Sequence, residues 1–128
     1  MPKTVLIIED DPDIAECLRV GLESAHLKAR VALTGDEGLA ASLDKDNPPA
    51  AILLDLLLPG MSGLEICRRL RNEVTTKQTP VIIVTARSME TDLAASIAVG
   101  ADGYITKPFS IREVVERVHC LLQREEKS

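Results

Sequence analysis

A single aspartate interrupts an apolar run near the middle of the chain. Asp55 follows the run Ala-Ile-Leu-Leu, and a Pro-Gly turn comes shortly after it. A charge in such a run is costly to bury unless a counter-charge or a metal ion compensates it. Polar residues follow three other apolar, strand-like runs, and these are the candidates for that compensation. They are Glu9-Asp10-Asp11, Thr85-Ala86 and Lys107-Pro108.

The residue types at these four places suit phosphoryl chemistry. The carboxylates of Glu9, Asp10 and Asp55 would repel each other when crowded, and a hard divalent cation, Mg²⁺ or a close analogue such as Mn²⁺, relieves that repulsion best. An aspartate carboxylate is a known type of phosphoryl acceptor. The Lys107 ammonium and the Thr85 hydroxyl could neutralise and hydrogen-bond the phosphoryl oxygens. We therefore predict an anionic, metal-dependent site in which Asp55 is the acceptor.

Each of these residues also has an ordinary structural interpretation. A lone aspartate after a strand is usually a helix cap, and Asp11 before Pro12 fits an N-cap followed by proline at the first helical position. Thr85 alone could cap a helix, and Lys107-Pro108 alone could form a surface turn. Their joint occurrence, each after its own apolar run, favours the functional interpretation.

Two hydrophobic periodicities alternate along the chain and predict five β-α units. Apolar runs of strand length are separated by segments with helical three- and four-residue steps. Such alternation favours a parallel sheet with helices on both faces, in which ligands bind at the carboxyl ends of the strands. The apolar runs are 5–8, 29–32, 51–54, 81–84 and 104–106, and capping boxes mark helix starts at Thr34-x-x-Glu37, Ser62-x-x-Glu65 and Ser110-x-x-Glu113.

Composition limits the class of protein. The 128 residues are 45% hydrophobic with one Tyr, one Phe and no Trp, which predicts one domain with an aliphatic core. A net charge of −5 argues against direct nucleic-acid binding, and the short basic run 68–71 fits the solvated face of a helix. No apolar window is long enough for a membrane span, so we expect a cytoplasmic protein. The cysteines at 17, 67 and 120 lack ligand spacing and are expected to be reduced helix residues.

These residues resemble the receiver domain of two-component response regulators, over essentially the whole chain. The resemblance implies a flavodoxin-like (βα)5 fold, doubly wound, with a five-stranded parallel sheet in the order 2-1-3-4-5. We expect the receiver to span residues 1–123, and the charged residues 124–128 to form a fraying tail or the start of a linker. The stretches that carry the resemblance are Val5-Leu6-Ile7-Ile8-Glu9-Asp10-Asp11, Leu54-Asp55-Leu56-Leu57-Leu58-Pro59-Gly60-Met61-Ser62-Gly63, Val84-Thr85-Ala86 and Gly100-Ala101-Asp102-Gly103-Tyr104-Ile105-Thr106-Lys107-Pro108-Phe109.

The resemblance implies how phosphorylation and metal binding would work. Asp55 would accept a phosphoryl group from a phosphohistidine on a sensor histidine kinase or phosphotransfer protein. Asp10 would bind Mg²⁺ directly, Glu9 through water, and Asp55 through its second oxygen. The backbone carbonyl of Leu57 would complete the protein ligands. The domain would be a signalling domain rather than an enzyme, although it would assist its own phosphorylation and slow autodephosphorylation.

The resemblance also implies a switch. Thr85 would hydrogen-bond the phosphoryl group, and Tyr104 would rotate toward the space that Thr85 vacates. This changes the surface formed by the fourth helix, the fifth strand and the fifth helix, which an unknown output domain or target protein would read. Lys107 would pair with the phosphate, and the Lys107–Pro108 peptide bond is expected to be cis.

Two features depart from the family pattern. In one transcription-factor subfamily of the family that the chain resembles, charged residues on the fourth helix and fifth strand pair with charges on the fifth helix to form a dimer. The matching fifth-helix charges Glu113, Arg117 and Arg124 are present here. Here apolar residues and a glycine replace those partners, so a monomer and a phosphorylation-dependent dimer both stay open. The residues that replace the charged partners are Leu93, Val99 and Gly103.

The second departure is the apolar Leu57 beside the phosphoryl site, which predicts a long-lived acyl phosphate.

Two other functions stay open at the level of sequence. A phosphohydrolase of the haloacid-dehalogenase type would use a similar Asp, Thr and Lys with Mg²⁺, but it needs a second acid where Leu57 stands. A receiver-like interaction module without phosphorylation would generally lack an acid or the lysine, and this chain keeps both. Nucleotide binding is disfavoured, because neither glycine-rich phosphate-binding motif occurs.

Overall fold

Strands and helices alternate along the chain in the computed structural model, which describes residues 2–87 and 89–127. The strands are β1 (Thr4–Ile8), β2 (Lys28–Ala32), β3 (Ala51–Leu54), β4 (Val81–Thr85) and β5 (Gly103–Thr106). The helices are α1 (Pro12–Ser24), α2 (Gly35–Ser42), α3 (Gly63–Arg71), α4 (Glu90–Ala98) and α5 (Ile111–Lys127). The predicted alternation of strands and helices is therefore confirmed.

The strands form one parallel sheet in the order β2-β1-β3-β4-β5, as predicted. The strand order reverses between β1 and β3, where the register pairs Ile8 with Leu54. The next residues, Glu9 and Asp55, consequently emerge side by side at the carboxyl edge, and the Asp55 N–H donates to the Ile8 carbonyl at 3.1 Å. The two acids therefore lie at the place where ligands bind in open α/β sheets.

The core has two halves, one on each face of the sheet. Because side chains alternate along a strand, Val5 and Ile7 pack with α1 and α5 while Leu6 and Ile8 pack with α3. Every residue of β3 and β4 is buried. The central strands therefore form a rigid platform for the residues that follow them.

The predicted helix N-caps are confirmed. The Asp11 carboxylate accepts from the N–H groups of Asp13 and Ile14 at 2.9 and 3.3 Å, with Pro12 at the first helical position. The three capping-box hydroxyls each accept from the N–H three residues later. Glu65 differs from the reciprocal pattern, because its carboxylate pairs with Arg68 and Arg69.

The carboxyl end was expected to fray, but it is helical as far as residue 127. Helix α5 continues to Lys127, through the segment Gln-Arg-Glu-Glu-Lys. These residue types are good helix formers, and the segment contains neither Gly nor Pro, so nothing in it ends the helix.

Within the described residues, no helix is both long enough and apolar enough to cross a membrane.

Candidate functional site

The side chains that follow β1, β3 and β5 meet at the carboxyl edge of the sheet. Lys107 Nζ donates to Glu9 Oε1 at 2.5 Å and to Asp55 Oδ2 at 2.9 Å. The other oxygen of Asp55 accepts from the Leu57 N–H at 3.1 Å. The exposed fractions of the side chains are 3% for Glu9, 6% for Asp55 and 15% for Lys107. The charge that compensates the buried Asp55 is therefore supplied by Lys107.

Burial and charge act against each other within this group. Burial tends to lower the pKa of Lys107, but hydrogen bonds to Asp55 and Glu9 outweigh it, so that pKa is raised. Burial also raises the pKa of Glu9, against the hydrogen bonds from Lys107 and from the Asp11 N–H. Lys107 is thus held in its charged form, while Glu9 is an anion that burial disfavours.

Glu9, Asp10 and Asp55 form a cluster that fits a divalent cation. Each offers one carboxylate oxygen, and these oxygens lie within 4.8 Å of one another. Glu9 and Asp55 are buried whereas Asp10 is exposed. Lys107 balances only part of the negative charge, and hard oxygen donors are the ligands that Mg²⁺ prefers. The residues present therefore fit a magnesium or manganese ion.

Two glycines shape the loop between Asp55 and α3. Gly60 has a φ of 82°, which glycine adopts without strain. At Gly63 the constraint is space, because an added Cβ would lie 2.2 Å from the Asp55 carbonyl oxygen. The Gly63 N–H donates to the Leu56 carbonyl at 3.1 Å. The start of α3 is thereby held against the backbone that carries the acceptor candidate.

Thr85 and Tyr104 are linked through the backbone of Arg87. Thr85 is fully buried, and its Oγ1 accepts from the Arg87 N–H at 3.4 Å. The Tyr104 hydroxyl donates to the Arg87 carbonyl at 2.5 Å. The Lys107 N–H donates to the Thr85 carbonyl at 2.8 Å, and the Lys107–Pro108 bond is cis, as expected. Thr85, Tyr104 and Lys107 therefore belong to one connected group.

Leu57 lies at the rim of the site. Its side chain is 49% exposed, and its N–H holds the Asp55 carboxylate. The long lifetime expected for an acyl phosphate beside this apolar side chain stays a prediction. The role of its backbone carbonyl as a metal ligand stays a prediction.

Sequence reasoning was wrong about Arg71 and missed Asp92. Arg71 was assigned to a solvated helix face, but its side chain is 19% exposed and its Nη2 pairs with Asp102 at 2.9 Å. Arg68 and Arg69 do lie on the solvated face. Asp92 is buried in α4 and pairs with Arg87 at 3.1 Å. Arg71 pairs with a residue far along the chain, whereas Arg87 lies just ahead of α4 and nothing in the sequence marks Asp92 as buried.

The surface of α4 and β5 has an apolar part and a charged part. Leu93 and Ile97 are 41% and 64% exposed. Arg124 Nη2 lies 3.1 Å from Asp102 Oδ1, so this arginine has a partner within the chain. The exposed part of α4 is thus apolar at Leu93 and Ile97, whereas Arg124 of α5 pairs with Asp102 ahead of β5.

The family model, the sequence relatives and the solved structures all point to the same family. Residues 5–119 match the family described as response regulator receiver domain. The chain is similar to the phosphate regulon transcriptional regulatory proteins PhoB of Rhizobium meliloti, at 39% identity over 97% of this chain and 53% of that protein, and of Pseudomonas aeruginosa, at 42% over 95% and 52%. It thus spans about half the length of these relatives. A CheY-like receiver domain from Methanospirillum hungatei superposes with a TM-score of 0.91 at 29% identity, covering 99% of this chain and 98% of that one.

Proposed function

The chain belongs to the response regulator receiver domain family of two-component signalling, and we propose that Asp55 is its phosphoryl acceptor. The observation that carries this proposal is the environment of the Asp55 carboxylate. One oxygen is held by Lys107 and the other by the Leu57 N–H, with the carboxylates of Glu9 and Asp10 beside it. A nucleophile, a cation and a metal-binding acid cluster are thus within reach of one phosphoryl group.

The transfer follows from these contacts. A carboxylate oxygen of Asp55 attacks the phosphorus of a phosphohistidine on a partner protein. The phosphorus–nitrogen bond breaks, and its electron pair leaves with the imidazole. Lys107 exchanges its hydrogen bond with Asp55 for one with a phosphoryl oxygen, and the Thr85 hydroxyl donates to another. The product is an acyl phosphate on Asp55.

The metal ligands in this proposal are Glu9, Asp10, Asp55 and the backbone carbonyl of Leu57. A bound Mg²⁺ or Mn²⁺ would neutralise negative charge on the phosphoryl oxygens. Asp10 is the exposed member of the acid cluster, so it is the first ligand that solvent can reach. Glu9 is disfavoured as a buried anion, so its charge is best satisfied when a cation is present.

Thr85 and Tyr104 form the switch in this proposal, through the surface of α4, β5 and α5. The partner on the input side is a sensor histidine kinase or phosphotransfer protein, which implies a cytoplasmic site. The output partner is a DNA-binding or other target region, since the relatives are named transcriptional regulatory proteins and are about twice as long. We assign the receiver to residues 1–123, with 124–128 as the charged extension beyond it. The state of the chain would be a monomer or a phosphorylation-dependent dimer.

Lifetime of the acyl phosphate is a further part of this proposal. The apolar Leu57 side chain cannot orient an attacking water, so autodephosphorylation should be slow. Leu57→Asn offers a polar group at that place and should shorten the half-life. A wild-type half-life of seconds would contradict the assignment.

The test is phosphorylation by acetyl phosphate with Mg²⁺, measured as intact mass. Wild type should gain one phosphoryl group and Asp55→Asn none, while Asp36→Asn, at an exposed position of α2, should behave as wild type. A gain in Asp55→Asn would move the acceptor elsewhere. If wild type neither gains mass nor binds beryllofluoride, the domain is an interaction module without phosphorylation.

A further inference from the structure

Arg87 is linked to three elements around the candidate site, by two backbone hydrogen bonds and one side-chain ion pair. Its N–H donates to Thr85 Oγ1 in β4 at 3.4 Å, and its carbonyl accepts from the Tyr104 hydroxyl in β5 at 2.5 Å. Its guanidinium Nη2 lies 3.1 Å from Asp92 Oδ1 in the first turn of α4. One residue therefore connects the end of β4 with both β5 and α4.

Asp92 is a buried acid with few partners. The residue is 9% exposed, and its Oδ2 has no hydrogen-bond partner among the described residues. Arg87 is thus the cation that compensates this carboxylate, and a buried charge that loses its partner is strongly disfavoured. Asp92 is also tied to the helix backbone, since its N–H donates to Met89 and its carbonyl accepts from the Ser96 hydroxyl. A change at Arg87 therefore acts on the first turn of α4 and, through the Ser96 hydroxyl, on the turn that follows.

We propose that the Arg87–Asp92 ion pair is a latch that couples the Asp55 site to helix α4. The proposal rests on the proposed function, because the event that the latch transmits is the contact between Thr85 and a phosphoryl group. When the Thr85 side chain moves toward that group, its Oγ1 leaves the Arg87 N–H. The displaced Arg87 then withdraws its guanidinium from Asp92. Helix α4 must shift to return a partner to this buried carboxylate, and it carries Leu93 and Ile97 with it.

The latch differs from a direct path between Thr85 and Tyr104, because it runs through a side-chain ion pair. Arg87 and Asp92 both lie outside the acid cluster, and the ion pair joins their side chains to each other. Variants of the pair should therefore leave phosphoryl acceptance intact and alter only the response of α4. This separation makes the two roles distinguishable by experiment.

The test uses Asp92→Asn, Arg87→Gln and the double variant in the full chain. Glu90→Gln is the matched control, because it removes one exposed acid from the same helical turn. Beryllofluoride with Mg²⁺ serves as the phosphoryl mimic, its binding is read by ¹⁹F NMR, and the amides of 90–98 are followed by ¹⁵N NMR and hydrogen exchange. Without the mimic, exchange in α4 should be about tenfold faster in each latch variant, as expected for loss of a charge-assisted hydrogen bond.

Three outcomes decide the matter. If the mimic binds all variants, shifts α4 in wild type and Glu90→Gln, and shifts it much less in the latch variants, the latch is supported. The shift of the α4 amides in the double variant should then be as small as in either single variant, because each substitution removes the same interaction. If the mimic binds and Asp92→Asn or Arg87→Gln responds as wild type, the latch is wrong and the proposed function stands. If wild type does not bind the mimic, the proposed function fails and the latch with it.

Arg87→Gln keeps the latch testable even if Asp92→Asn does not fold. The Arg87 side chain is 48% exposed, whereas that of Asp92 is 12% exposed. If Asp92→Asn does not fold, the Arg87→Gln response alone supports or overturns the latch by the same criteria.

Discussion

Lys107 Nζ lies 2.9 Å from Asp55 Oδ2, although the two residues are more than fifty positions apart in the chain. Because Lys107 also contacts Glu9, the ammonium is a cation within the acid cluster. A metal ion bound by the same carboxylates must share them with this side chain. The binding of metal and the acceptance of a phosphoryl group should therefore respond in opposite ways to the loss of Lys107.

Lys107→Gln should bind Mg²⁺ about tenfold more tightly than wild type, because a positive charge a few ångströms from the ligands is removed. The same variant should accept a phosphoryl group from acetyl phosphate more slowly, since the phosphoryl oxygens lose a cation. Isothermal titration calorimetry measures the first effect and intact mass over time the second. Lys45→Gln, at an exposed position, should change neither. Weaker Mg²⁺ binding in Lys107→Gln would contradict this account.

Gly63→Ala should damage both stability and phosphorylation. An added Cβ would lie 2.2 Å from the Asp55 carbonyl oxygen, so the loop that carries the acceptor must move. We expect a loss of about 1–3 kcal/mol in the free energy of unfolding, measured in urea. At Gly103 the nearest atom to an added Cβ is 3.5 Å away, so Gly103→Ala is the tolerated control. Equal behaviour of the two variants would count against the role assigned to Gly63.

Arg71→Ala should be markedly less stable than wild type. Its guanidinium donates to the carbonyls of Thr79 at 2.7 Å and Gly100 at 3.0 Å and to Asp102 at 2.9 Å. Loss of these charge-assisted bonds should cost about 2–3 kcal/mol in urea denaturation. Arg71→Lys should restore little, because a lysine cannot bond several acceptors with a planar fork. Arg68→Ala, at an exposed surface pair, should stay within about 0.5 kcal/mol of wild type.

The sheet and the acid cluster could be predicted because their signals are local. Apolar runs of strand length define β3 and β4, and a polar residue directly after each run marks the edge where a ligand binds. The caps at Asp11 and Thr34 are equally local, since donor and acceptor are two or three residues apart. The sheet order was supplied by the resemblance to a family, since periodicity alone specifies parallel strands but not their sequence across the sheet.

The partners of Arg71 and Asp92 could not be predicted in the same way. Arg71 follows two arginines that do lie in solvent, and it turns inward only because α3 ends beside the turn at Gly100. Asp92 has the pattern of an acid that favours a helix N-terminus. It is nevertheless buried and pairs with Arg87 ahead of the helix, and nothing in the residues around it marks this burial. The continuation of α5 past residue 123 was missed because charge was given more weight than helix propensity.

The three thiols should differ in reactivity in the folded protein. Burial raises the pKa of the Cys67 thiol, and its Sγ donates to the Val99 carbonyl at 3.6 Å, whereas Cys17 and Cys120 are exposed. Because the thiolate is the reacting form, Ellman's reagent should modify two thiols rapidly and the third only after denaturation. Cys67→Ser should remove the thiol that reacts only after denaturation and keep the two rapid ones. A third fast thiol in the native protein would contradict the burial of Cys67.

Tyr104 should ionise at higher pH than a free tyrosine. Burial raises its pKa, and the negative charge of Asp92 raises it further. It is the only tyrosine and there is no tryptophan, so phenolate absorbance reports this one group. Because the folded state holds the proton more tightly, this group's contribution to stability is full below the ordinary tyrosine pKa of about 10 and is lost as the pH rises through the folded-state value.

The titration of Tyr104 is therefore a direct measure of the surroundings of the proposed switch. Asp92→Asn should lower the midpoint relative to wild type, because it removes the nearby negative charge, while Glu90→Gln should leave it close to that of wild type. Circular dichroism recorded on the same samples shows that the protein is still folded at each pH. A midpoint at or below about 10 in the folded protein would contradict the raised pKa that partial burial and Asp92 give this hydroxyl. Ionisation removes the donor of the hydrogen bond from Tyr104 to the Arg87 carbonyl, so this bond should be lost only above the midpoint.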